Sequence, residues 1–119
     1  MTIAESLLQE LDQEAQTTRR VLERVPQEHL GWKPHEKSMT LGQLARHITL
    51  IPGGVASGVE HLTMQVPNFP QPTIEHVREL VPQLDESVAK AHAILGNMSD
   101  DDMRATWRLV NGDQTIMSM

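Results

Sequence analysis

The spacing of apolar residues at the start of the chain limits its fold more than any other feature. From Ile3, the positions Leu7, Leu11, Ala15, Thr18, Leu22 and Val25 follow at steps of 4, 4, 4, 3, 4 and 3. An α-helix returns to one face about every 3.6 residues, so it gathers these steps into a single stripe. A strand would divide them between two faces. Leu8 and Val21 widen the stripe. Thr2 and Glu5 have the spacing of a capping box, in which each side chain satisfies a free backbone N–H of the first turn. Glu5, Glu10 and Asp12 come early and Arg19, Arg20 and Arg24 late, which complements the helix dipole. Pro26 stops the run, so the spacing predicts a helix over 3–25.

Residues 27–39, with Gly31 and Pro34, read as a connecting loop. Thr40 and Gln43 form a second capping-box pattern. Behind it Leu41, Leu44, Ile48, Ile51, Val55, Val59 and Leu62 again step by 3 or 4, predicting a helix over 41–64. Pro52-Gly53-Gly54 falls inside it. Proline removes one helical hydrogen bond, and because the apolar phase continues past it, a kink is expected rather than two helices. Gly53, Gly54 and Gly58 read as sites of close helix packing or flexibility.

Residues 66–72 (VPNFPQP) are a proline-rich connection. Thr73 is then expected to cap a third helix over 74–96, with a stripe running from Val77 through Val81, Leu84, Val88 and Ala91 to Leu95, bent early at Pro82. Ser99 followed by Asp100, Asp101 and Asp102 has the pattern of a cap and first turn. Asn111-Gly112 between Trp107–Val110 and Asp113–Met117 is a strong hairpin-turn signal. Three long helices and a hairpin make an all-α, up-down arrangement. Antiparallel helices of this length usually pack in fours, so the chain looks one helix short.

Composition excludes several functions. At 119 residues the chain is read as one domain. It has no cysteine, which rules out disulfides, cysteine-ligated zinc and a cysteine nucleophile. Its net charge of −6, with 3% aromatics and no basic run, argues against nucleic acid and against an anionic membrane surface. No apolar run approaches the roughly 18 residues of a membrane span, and the N-terminus lacks the basic start of a signal peptide, so a soluble cytoplasmic protein is expected.

The six histidines, His29, His35, His47, His61, His76 and His92, include no His-x-x-His or His-x-x-x-His pair. Such spacing would put two ligands on one helical turn. His47 and His61 share a face but would stand roughly 21 Å apart along a helix, too far to share an ion. On spacing alone His47, beside Ile48 on the stripe's edge, reads as a satisfied, partly buried histidine. Glu60 next to His61 would point elsewhere. No Gly-x-Ser-x-Gly elbow or phosphate-binding glycine loop is present. Trp107 reads as core packing.

The stretch RRVLERVPQEHLGWKPHEKSMTLGQLARHI, with Trp32, Pro34, Lys37-Ser38-Met39 and Leu44-Ala45-Arg46-His47, resembles the DinB/YfiT-like superfamily of four-helix bundles. The segment Leu95–Asp102 and Trp107 before the hairpin are similar as well. The resemblance covers nearly the whole chain. It implies a divalent metal, zinc or nickel, held by three histidines, with His47 at the position of the second-helix ligand. The other two would come from a His-x-x-x-His on a fourth helix following the hairpin, so the site is expected to be incomplete within these residues. It also implies thiol-transferase or hydrolase chemistry on a small molecule, with a low-molecular-weight thiol as possible cosubstrate; no catalytic residue is assigned. The competing expectation is a non-catalytic helical module that homodimerises through its exposed apolar stripe.

Overall fold

The structure, a computed structural model, describes residues 1–65 and 72–119; the proline-rich connection lies outside them except for Pro72. Helix α1 spans Ile3–Leu22, α2 Leu41–Val59, α3 Leu80–Leu95 and the short α4 Asp100–Arg104. Strands β1 (Thr63–Gln65), β2 (Arg108–Asn111) and β3 (Gln114–Ser118) form one sheet in the order β1-β2-β3. The fold is mostly helical, with a small sheet where only a hairpin was predicted.

Local chemistry starts the helices α1, α2 and α4 where the sequence placed them. Thr2 Oγ1 accepts from the Glu5 amide while Glu5 returns the bond to the Thr2 amide, at 3.1 and 3.0 Å. Thr40 and Gln43 repeat the exchange at 3.1 and 2.8 Å, and Ser99 with Asp102 at 3.1 and 2.9 Å. Asp100 also accepts from the Ile3 amide at 2.9 Å, so α4 helps to cap α1. Helix α1 ends three residues before the expected Val25. Its last amides turn back to Val21 and Leu22 in tighter turns.

Two further predicted boundaries are corrected. Helix α2 stops at Val59 rather than 64, and Thr63–Gln65 instead pairs parallel to β2, Thr63 with Arg108 and Met64 with Leu109. A distant side chain makes this exit possible: the Trp107 indole donates to the Gly58 carbonyl at 3.0 Å, satisfying an acceptor in the last turn. Helix α3 begins at Leu80, after a 3₁₀ turn over Val77–Glu79, rather than at Ile74. A helix begun at Ile74 would have Pro82 in its interior. Beginning at Leu80 puts it in the first turn, where its missing N–H costs nothing. Gln27 holds the upstream segment extended, donating to the Glu75 carbonyl and accepting from the Val77 amide, both at 2.8 Å.

Pro52 lies within α2, which runs unbroken from Leu41 to Val59. The hairpin turn is shifted by one residue from the prediction: Asn111 pairs with Gln114, leaving Gly112-Asp113 as the loop. Gly112 has φ +64, the left-handed conformation that a two-residue turn starting with glycine needs. A register shift follows between Leu109 and Val110, whose partners are Met117 and Thr115.

The core lies along α3, which packs most extensively against α2 and also against α1. Leu80 and Leu84 are fully buried, clustered with Leu22, Ala45 and Ile74. The face α2 presents to α3 is a row of small residues, Ala45, Thr49, Gly53 and Ala56, all buried, while Gly42, also buried, packs instead against Leu30 and Thr73. At Gly53 a Cβ would stand 3.1 Å from both the carbonyl and the hydroxyl oxygen of Ser87, so the backbones meet closely there. Of the predicted stripe of larger residues, Ile48 packs against the core cluster and Leu41 and Val59 are half-buried, but the rest is largely exposed. Leu44, Ile51, Val55 and Leu62 are 45, 44, 57 and 60% exposed.

Candidate functional site

His47 stands on α2 one turn before Ile51, about 40° from it around the helix. The sequence expectation of a satisfied, partly buried histidine is corrected: the residue is exposed, and its side chain has no hydrogen-bond or ion-pair partner among the described residues. The cause is the inversion of α2. Its small residues take the contact with α3, and the face carrying Leu44, His47 and Ile51 is left toward solvent.

Ile51 also lines an apolar groove of about 500 Å³. Leu7 and Leu11 of α1 form one wall, Ile51, Val55 and Val59 of α2 the other, and Ala91 and Leu95 of α3 the floor. Met98, Met103 and Trp107 close one end. Trp107 is therefore half-buried at the edge of the groove, tied to α2 through Gly58, rather than a residue of the central core. A cleft of this size and lining suits an apolar body rather than a charged one. The charged residues at its border are Asp102, engaged in capping, and Arg104.

The other histidines do not converge on His47. Among the described residues, no group of three or more His, Asp or Glu side chains could hold a metal ion. His92 reaches Asp12 of α1 at 2.6 Å, and Arg19 of α1 pairs with Asp85 of α3, so polar contacts fasten α1 to α3 on the surface. The His92–Asp12 pair was not legible in the sequence, because its partners come from helices far apart in the chain. His61 Nε2 lies 3.7 Å from Glu60 Oε1 at the end of α2, so Glu60 does not point away from it as the sequence reading expected. Gly53 and Gly58 are both sites of close approach, to Ser87 and to Met64, whereas Gly54 faces open space.

Capped, amphipathic helices with a small sheet define a mostly helical class of protein. Within that class the sequence matches the DinB superfamily over residues 10–116, and the chain belongs to that superfamily. No curated protein and no solved structure gives a match. None of the described helices is long and apolar enough to cross a membrane.

Proposed function

We propose that the chain carries part of a divalent-metal-dependent site for small-molecule chemistry, a thiol transfer or a hydrolysis, with His47 as one ligand to zinc or nickel. The observation that supports this is the placement of His47: an exposed imidazole without a partner among the described residues, one turn from an apolar groove large enough for a small molecule. Neutral imidazole is a good donor to either metal.

The described residues alone do not fit a complete site. One imidazole is too few donors for a tightly held ion, so the remaining ligands belong outside the described residues. No catalytic step is assigned. With a thiol cosubstrate the absence of cysteine from the chain is no obstacle, and the cytoplasm is the compartment that keeps such thiols reduced.

Elemental analysis of the purified full-length protein, beside a His47→Ala variant, tests the proposal. The expected result is bound zinc or nickel that falls sharply in the variant while the circular dichroism spectrum stays the same. Equal metal content in the two proteins would remove His47 from the site.

A second reading is favoured by the exposed stripe on α2: a helical module that homodimerises and does no chemistry. Large apolar patches on a surface usually mark association sites.

A further inference from the structure

We infer that Asn111 is a self-modifying site: on the folded chain its side-chain amide cyclises onto the Gly112 backbone nitrogen and opens to isoaspartate or aspartate. The site is separate from His47 and from the groove, and it belongs to the hairpin turn.

The step needs no co-reactant but water. The Gly112 nitrogen, once deprotonated, attacks Asn111 Cγ. The Cγ–Nδ2 bond breaks, and Nδ2 leaves as ammonia, taking up the proton that the Gly112 amide gave away. Water then opens the cyclic imide. Attack at the main-chain carbonyl leaves the chain running through Cγ, as isoaspartate, and attack at Cγ gives aspartate. Nothing is oxidised or reduced.

The surroundings of Asn111 favour this step. It is exposed and is the last residue of β2, where a ladder ends and local opening costs least. The attacking nitrogen belongs to a residue without a side chain, and a Cβ placed at Gly112 would meet nothing within 4 Å. Asn97 makes the contrast. It is exposed too, but its Nδ2 donates to the Ala93 carbonyl at 3.0 Å, and the half-buried Met98 follows it.

The turn sets the consequence. Asn111 pairs with Gln114 across the loop Gly112-Asp113, with Gly112 at φ +64. Two-residue loops fit only a few backbone conformations. Isoaspartate puts one further carbon into the main chain there, so the Asn111–Gln114 pairing is lost beside Val110, the buried residue of the two strands. The new carboxylate also adds one negative charge to a chain that already carries −6.

Incubating the purified protein in mildly alkaline buffer, folded and in urea, tests this. Trypsin then releases residues 109–119 with Asn111 and residues 91–104 with Asn97, and chromatography with mass spectrometry reads the conversion of each. In the folded chain Asn111 should convert at least tenfold faster than Asn97, and within about tenfold of its own rate in urea. A smaller ratio to Asn97, or a folded rate further below the urea rate, would overturn the inference. In the separated isoaspartate form the amides of β3 should exchange hydrogen faster than in an Asn111→Asp variant, which gains the charge without the extra main-chain carbon. Equal exchange in the two would overturn the loss of pairing.

Discussion

The Gly53 amide donates to Ser87 Oγ at 2.8 Å, one residue after Pro52 and within a buried helix–helix contact. Proline interrupts the hydrogen-bond series of α2, and a side chain from α3 supplies an acceptor at the interruption. Thr49, one turn earlier, is fully buried; its hydroxyl donates to the Arg46 carbonyl at 2.6 Å and lies 3.2 Å from Gln83 Oε1. Two polar contacts thus fix how α2 lies on α3 in the turns just after His47.

Ser87→Ala should therefore destabilise the chain by about 1–3 kcal/mol, the range for leaving a buried donor without its acceptor. Urea denaturation followed by circular dichroism measures it. A loss below about 0.5 kcal/mol would mean that the Gly53 amide finds another acceptor.

Leu84→Ala removes a fully buried side chain from the cluster around Leu80, Leu22 and Ala45. The cost should lie at about 2–5 kcal/mol, the range for truncations that leave a cavity in a packed core. Leu44→Ala, at a residue 45% exposed, should cost clearly less in the same assay. The reverse order would restore the sequence-based view that the large-residue stripe is the core face of α2.

Trp107→Phe keeps the ring at the end of the groove but loses the donor to the Gly58 carbonyl. A loss of about 1 kcal/mol is expected, with no change in metal content. Metal lost together with the indole would show that Trp107 supports the site rather than the end of α2.

Gly112→Val should cost about 1–2 kcal/mol, since φ +64 brings a Cβ against the following carbonyl, and a β-branched residue tolerates this least. Gly112→Asn should cost less, because asparagine visits that conformation more readily. Thermal melts of the two variants give the comparison.

What the sequence made legible was local. The pairs Thr2–Glu5 and Thr40–Gln43 are three residues apart and satisfy each other whatever the rest of the chain does, so both helix starts were readable. The inside face of α2 was not. Leu44, Ile51 and Val55 form the more hydrophobic stripe, yet Gly53 and its small neighbours win the contact because they let the α3 backbone approach, and hydropathy does not measure closeness. Strand β1 was missed because its partner lies beyond α3, out of reach of any periodicity argument. For the candidate site, the resemblance singled out His47, but its exposure followed only from the orientation of α2, and the groove required three helices in place.

The parallel pairing of Thr63 with Arg108 also bears on kinetics. A parallel pair cannot be joined by a tight turn, and here all of α3 and α4 lies in the closed loop between the two strands. Closing that loop costs chain entropy that three short rungs recover poorly until α3 has shortened the distance by docking on α2. The sheet is therefore expected to assemble last. Pulsed hydrogen exchange during refolding should show amides of α2 and α3 protected before those of β1 and β2; simultaneous protection would mean that helices and sheet form in a single step.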